Sequence, residues 1–374
     1  MNWNWQQPDW PAFRWNAEAV GQAEAQFLRA SGVEVGSIRH VSDDARTNLI
    51  VDLMTLEAVD TSAIEGELLN RDSVQSSLLS NFGLKNDNRR VPPAERGIAD
   101  MMVDLYRSFD VPLSHDMLHN WHCMLLPGRV DLRDIGRYRR QGDPMQVVSG
   151  YVHDPRIHFE APPAAAVARE MEGFIAWFVD SAPGGARPLP PLVRAGLAHL
   201  YFVSIHPYED GNGRIARALA VKALAEATGQ PSLLALSHII YRRRADYYAA
   251  LEANNKGLEV TPWLSYFSGT VLAAQDYSQR LIDFMIAKTR LYDRVRDRLN
   301  DRQARAVARM FREGPEGFTG GLSAANYISI TGAPRATATR DLADLVSLGV
   351  LTVTGTLKST RYHLNVADSG ERSA

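Results

Sequence analysis

Between residues 206 and 217 the chain reads HPYEDGNGRIAR, and nearly every residue type in it could handle phosphate. Gly211-Asn212-Gly213 stands just ahead of an Ala/Leu-rich run. A helix starting there exposes unpaired N–H groups and the positive end of its dipole, which together suit an anion. Glycines let the backbone approach that anion, because no Cβ stands in the way. Arg214 and Arg217, three residues apart, reach one side of the first turn, and two guanidiniums with backbone N–H groups fit a polyphosphate. Asp210 offers a carboxylate of the kind that holds Mg²⁺ beside phosphate oxygens. His206 is the residue type best suited to take a proton from a hydroxyl near neutral pH. The implied chemistry is attack of an activated hydroxyl on a nucleotide phosphate, with release of pyrophosphate, or a related phosphoryl transfer.

These residues need helices to position them, and helical periodicity dominates the 374-residue chain. PPLVRAGLAHLYFVSI opens on prolines, stops before Pro207 and predicts a buried helix that delivers His206. GRIARALAVKALAEATG predicts the helix that carries both arginines and ends at Gly229. Upstream, DARTNLIVDLMTLEAVDTSAIEGELL places Leu49, Ile50, Leu53, Leu56, Ile64 and Leu68 at helical spacing. A long helical region begins at Thr261. Two hairpins are expected. One is MQVVSGYVHDPRIHFEAPP, turning at Asp154-Pro155, and the other is GVLTVTGTLKSTRYHL, turning at Gly355.

Composition sets the outer bounds. Hydrophobic residues make up 45% of the chain and charged residues 22%, which is the balance of a globular protein. A net charge of −2 gives no whole-molecule attraction to nucleic acid or anionic membrane. Cys123 is the single cysteine, so no internal disulfide exists, and no run of about 18 apolar residues predicts a membrane span. The N-terminus lacks the pattern of a signal peptide, so the expected location is the cytoplasm.

The 206–217 stretch resembles the signature of the Fic (filamentation induced by cAMP) family, H-P-F-x-[DE]-G-N-G-R-x-x-R, with Tyr208 in place of Phe. A chance match has a probability on the order of 10⁻¹¹ per position, so a capped core helix with stray charges does not account for it. The resemblance implies a mainly α fold with a helical core and a small β-hairpin flap. It implies transfer of AMP from ATP to a Ser, Thr or Tyr hydroxyl of a target protein, with Mg²⁺ as cofactor. By the same resemblance His206 is the general base and Asp210 the metal ligand. Gly211, Asn212 and Gly213 form the anion hole, with Asn212 also at the α-phosphate, and Arg214 and Arg217 hold the β- and γ-phosphates. GRYRR at 136–140 and the hairpin near 145–159 resemble the flap that docks the target. HIIYRRRADYYAALEANN resembles the segment that lines the adenine pocket, which makes Tyr247 and Tyr248 candidates to touch the base.

TSAIEG at 61–66 matches [ST]-x-x-x-E-[GN] and resembles the inhibitory motif of autoinhibited Fic proteins. Glu65 would pair with Arg217 and take part of the phosphate space. No other Glu-Gly pair here has Ser or Thr four residues earlier.

The flanks are less specific. Trp3, Trp5, Trp10 and Trp15 predict an N-terminal segment pinned down by aromatic packing, or a dimer contact. Residues 298–366 read as three helices and a hairpin and resemble a winged helix. Eight basic and five acidic residues between 300 and 366 leave +3, a modest charge for DNA, so docking of protein or dimerisation is the favoured reading. His119, His122 and His199 sit in apolar helical runs and read as structural, and none has zinc-site spacing. The expected organisation is an N-terminal region with the inhibitory helix at 1–92, a catalytic domain at 93–290, a winged-helix-like domain at 298–366 and a disordered tail at 367–374. The favoured function is an autoinhibited protein adenylyltransferase. The alternatives are a winged-helix transcriptional regulator with a secondary Fic domain, or a Fic enzyme that removes AMP or transfers another phosphate-containing group.

Overall fold

The computed structural model describes residues 2–38, 43–84, 90–140, 144–151, 154–318 and 320–366. The expected tail at 367–374 lies outside the described residues. In chain order the helices are α1 (Ala17–Ile38), α2 (Asp43–Ile64), α3 (Arg71–Asn81), α4 (Pro93–Arg107), α5 (His115–Leu125), α6 (Ala164–Asp180), α7 (Pro191–Ile205), α8 (Asn212–Thr228), α9 (Leu236–Arg242), α10 (Arg244–Ala253), α11 (Thr261–Val295), α12 (Asp301–Phe311), α13 (Ala324–Thr331) and α14 (Arg335–Ser347). Strands β1 (Gln146–Tyr151) and β2 (Asp154–Glu160) form one antiparallel hairpin, β3 (Leu351–Thr354) and β4 (Arg361–Leu364) another. The fold is mainly α with two small hairpins, as the sequence predicts. The chain divides into two units, one of residues 1–36 with 46–278, the other of residues 37–45 with 279–374.

In the first unit α7 and α8 are buried along almost their whole length and pack on one another. Both are rich in Ala and Leu, as helices surrounded by protein must be. Phe202 of α7 is fully buried, as are Phe174, Trp263 and Phe267, which pack on that helix, each contributing about 1.5–3 kcal/mol relative to exposure. That burial, rather than helix propensity, fixes the short link between α7 and α8 on which the site depends. A charged residue survives inside this core only because it is paired. Lys222 donates to the carbonyls of Ser108, Phe109 and Val111 and pairs with Glu226, which also pairs with Arg194.

The Trp-rich N-terminal segment is pinned, as one of its two expectations holds. Trp3 meets Phe159 edge-on at 5.4 Å, and Trp5 Nε1 donates to the Glu160 carbonyl. Asn4 donates from its backbone to Asn255 and from its side chain to Ser204, and Trp10 packs on Tyr201 at 5.1 Å.

Two expected local features are corrected. Asp154-Pro155 is not the turn of the first hairpin. It belongs to β2, where Pro155 lies opposite Gly150 and Asp154 opposite Tyr151. A two-stranded ribbon has only edge strands, so a residue without an N–H need not sit in the turn. Likewise the helix carrying TSAIEG stops at Ile64 instead of reaching Leu68, which is 83% exposed. Gly66 takes φ +86, a left-handed backbone that turns the chain out of the helix and leaves Glu65 on the turn.

Within the second unit residues 298–366 follow the expected order of three helices, α12 to α14, and a hairpin, with Leu322 bridging to Tyr362 of β4. Its core gathers Val307, Met310, Tyr327, Leu342, Leu345 and Leu351, and Asp341 accepts from Arg302 and from the Tyr327 hydroxyl.

Candidate active site

His206 caps α7 in a left-handed backbone conformation, φ 51 and ψ 60. That conformation costs a non-glycine residue about 1–2 kcal/mol, so something must hold it. Arg139, 4% exposed, does so. Its Nε donates to the His206 carbonyl at 2.8 Å, its Nη2 to Pro162 at 2.6 Å, and its backbone N–H to Pro207 at 3.0 Å. A cation thereby satisfies carbonyls at a helix C-terminus. Burial pulls the guanidinium down to about 10, which leaves it charged at neutral pH. Replacing Arg139 with Gln should lower unfolding stability by about 2–4 kcal/mol, since it strands buried carbonyls. Urea unfolding checks this, and an unchanged midpoint would show that Arg139 does not support the cap.

The His206 ring lies with Nδ1 3.3 Å from the Val203 carbonyl. A carbonyl only accepts, so Nδ1 carries the proton and Nε2 keeps its lone pair. Burial, then the charge of Arg139, holds the imidazole down to about 4.

The link after His206 is fixed by three residues. Tyr208 is fully buried, stacks on His122 at 4.0 Å, and has its hydroxyl 3.0 Å from His119 Nδ1. The departure from Phe in the signature therefore has a polar partner ready for its hydroxyl. Asn212 spans Tyr208 with both ends of its amide, Oδ1 accepting from the N–H and Nδ2 donating to the carbonyl. That amide shapes the loop. His122 Nδ1 accepts from the Gly136 N–H, so Nε2 donates to the Asp210 carbonyl at 3.2 Å. Burial keeps His122 neutral, with a value pushed down to about 4.

Beyond the loop Arg214 and Arg217 converge with Glu65, Glu67 and Asp210. Arg217, 1% exposed, donates from Nε to Thr61 Oγ1 at 2.8 Å and from Nη2 to the Thr61 carbonyl and to Glu65 Oε1, the latter at 2.8 Å. Burial opposes its charge, but Glu65 and the nearby tyrosines outweigh it and the shift is upward. The Glu65 carboxylate also rests against Gly213, where a Cβ would collide with Oε1. Arg214 pairs with Glu67 and, more loosely, with Asp210. The other Asp210 oxygen accepts from Arg129 Nη1 at 3.0 Å.

The turn at 65–67 is held from behind. Glu57 on α2 accepts from the backbone and hydroxyl of Ser237 at the start of α9, and burial raises it to about 7. Asp60 pairs with His238 at 2.7 Å. The Tyr248 hydroxyl donates to the Ile64 carbonyl at 3.2 Å.

A cavity of about 660 Å³ opens in front of His206, between the β1–β2 hairpin and α10. Tyr247 and Tyr248 line it, as does Glu65. Tyr247 is 2% exposed and engages His199 through its hydroxyl, whereas Tyr248 is partly open to the cavity. The hairpin is tied to α10 by Glu252, which accepts from Arg156 and pairs with His158. The structure thus brings His206, Gly213, Arg214, Arg217, Asp210 and Glu65 together and sets the two tyrosines on the cavity wall. Arg129, Arg139 and Glu67 join them. Only Arg139 had a sequence signal, as part of GRYRR, and that signal pointed to the flap.

Asp210, engaged here by Arg129 and Arg214, is the carboxylate that would hold Mg²⁺, an ion that completes its shell with phosphate oxygens and water. Among the described residues no group of three or more His, Cys, Asp or Glu could hold a metal without such help. No helix there is long and apolar enough to cross a membrane.

The model of the Fic/DOC family matches residues 112–224, and that of a domain of unknown function, DUF4172, matches residues 3–84. Protein adenylyltransferase Fic of Nematostella vectensis is 32% identical over 132 residues, 35% of this chain and 27% of the relative. Protein adenylyltransferase fic-1 of Caenorhabditis elegans is 25% identical over 267 residues, 66% of this chain and 48% of the relative. The chain thus spans less than half the length of each. A Fic family protein of Desulfovibrio desulfuricans shares the fold, with a TM-score of 0.54, 21% identity and coverage of 97% of this chain and 99% of that one.

Proposed function

We propose that this chain, which carries a Fic/DOC family domain at residues 112–224, transfers AMP from ATP to a protein hydroxyl and is held in check by Glu65. The observation that carries the reading is an anion already seated in the cradle: the Glu65 carboxylate on Arg217 and against Gly213. A site that receives a carboxylate there would receive a phosphate oxygen when the carboxylate leaves. Two relatives named protein adenylyltransferase support AMP as the group transferred.

In this reading His206 Nε2 takes the proton of a Ser, Thr or Tyr hydroxyl as its oxygen attacks the α-phosphorus. The bond to the β-phosphate oxygen breaks, and pyrophosphate leaves with its charge met by Arg214 and Arg217. Asp210 would hold Mg²⁺, which offsets charge on the phosphates. The target would lie along the free edge of β1, where backbone pairing could align the hydroxyl with His206. With Glu65 in place Arg217 is unavailable and ATP sits misaligned.

The depressed value of His206 predicts a pH profile. A protonated imidazole accepts no proton, so activity should be lost as pH falls through about 4, well below the ordinary histidine range. The acid limb of kcat/KM for the Glu65→Gly protein reads this and should lie no higher, since Glu65 is one of the groups that raises His206; a limb near 6.5 would contradict it. The reading as a whole is tested by mass spectrometry of Glu65→Gly protein incubated with ATP and Mg²⁺. An AMP adduct on a hydroxyl is expected; a protein that stays unmodified, with or without added bacterial lysate, would reject it.

A further inference from the structure

We propose that Glu67 is a second inhibitory carboxylate, which holds Arg214 away from the nucleotide while Glu65 holds Arg217. The proposal rests on the AMP-transfer reading above and deepens its regulation.

The contact between Glu67 Oε2 and Arg214 Nη1 is 2.6 Å, against 2.8 Å for Glu65 with Arg217. Arg214 is 4% exposed, and its remaining carboxylate contact, Asp210 Oδ1, is at 3.4 Å. Glu67 is therefore its main counter-charge. The two acids also belong to one mechanical piece. The backbone N–H groups of Glu65 and Glu67 both donate to the Ser62 carbonyl, at 3.1 and 3.0 Å, around the left-handed Gly66. A motion of the end of α2 would carry both carboxylates together.

The buried guanidiniums also keep donors in reserve. Arg214 Nε and Arg217 Nη1 are buried and have no hydrogen-bond partner among the described residues. Buried donors are normally satisfied, so an oxygen-rich ligand is the natural acceptor. With both carboxylates seated, each arginine spends part of its fork on the 65–67 turn. A triphosphate must displace two anions instead of one, and removal of Glu65 alone releases only Arg217. Were Glu67 merely a support that orients Arg214, its loss would weaken nucleotide binding. As a competitor for Arg214, its loss must strengthen binding, and only of nucleotides that carry the distal phosphates.

The test is calorimetric titration of the full chain with ATP and Mg²⁺, and separately with AMP. The proteins are the unaltered chain, Glu67→Gln, Glu65→Gly and the double variant. Glu67→Gln should tighten ATP by about three- to tenfold, below the gain of a full buried ion pair because Glu67 is partly exposed. AMP affinity should stay within twofold, and the tightening should add to that of Glu65→Gly. Unchanged or weaker ATP binding by Glu67→Gln, beside a Glu65→Gly protein that binds ATP more tightly, overturns this proposal and leaves the AMP-transfer reading standing. Failure of Glu65→Gly and the double variant to bind ATP at all overturns that reading and this proposal with it. Should Glu67→Gln fail to fold, Glu67→Asp, whose shorter side chain falls short of Arg214, is titrated in its place against the same outcomes.

Discussion

Replacing Glu65 with glycine should raise self-modification with labelled ATP by about 100-fold. The size follows from what the carboxylate does in the resting structure. It engages Arg217 at 2.8 Å and lies against Gly213, so in the proposed reading a triphosphate bound beside it would be displaced by roughly the width of a carboxylate oxygen. A misplacement of about 1 Å costs on the order of 10²-fold in rate, because the attacking oxygen and phosphorus no longer line up. Glycine removes the side chain and sits next to Gly66 on a turn that is already outside α2, so little helix is lost. The same change leaves Arg217 without a carboxylate partner among the described residues. Buried charges without partners are costly, so the variant should melt lower than the unaltered chain without nucleotide and gain more from ATP with Mg²⁺. Equal labelling of the two proteins would remove Glu65 from this role.

In that released background His206→Ala should lower AMP transfer by about 10³-fold, within the range that general bases supply. His158 also lines the cavity, but its Nδ1 is engaged by Glu252 at 2.9 Å. The cap places its ring, and the Val203 carbonyl selects the tautomer with Nε2 free. Alanine at φ 51 carries a backbone cost, so His206→Asn, which tolerates the left-handed region, is the companion variant. Both should retain ATP affinity within a few fold, since His206 makes no contact with Arg214 or Arg217. Transfer within tenfold of the His206 parent would reject it as the base.

How much of this was legible beforehand depended on sequence distance. The cradle was readable because its glycines, arginines, acid and histidine fall within twelve consecutive residues and resemble a known signature. The pairing of Glu65 with Arg217, 152 residues apart, was readable only because TSAIEG is itself a motif. The Glu67–Arg214 contact spans 147 residues, and no motif marked Glu67. Arg139 reaches back to the carbonyl of His206 across 67 positions, and His122 to that of Asp210 across 88. Such roles follow from helix packing, and local spacing carries no trace of them. Asn212 shows the opposite limit. Its identity was given by the signature, but the direction of its amide, turned onto the Tyr208 backbone, belongs to the folded loop. Local pattern misled at two points. Asp154-Pro155 carried a turn signal yet lies in an edge strand, and the apolar spacing through Leu68 hid the stop at Gly66.

Once Glu65 is gone, the proposed role of this cradle is to position a triphosphate for attack at its α-phosphorus. It is tested most directly with Glu65→Gly protein, Mg²⁺ and ATP labelled on either the α- or the γ-phosphate. Protein-bound label is expected from the α position and none from the γ. Label retained from the γ-phosphate, or from neither, would contradict it.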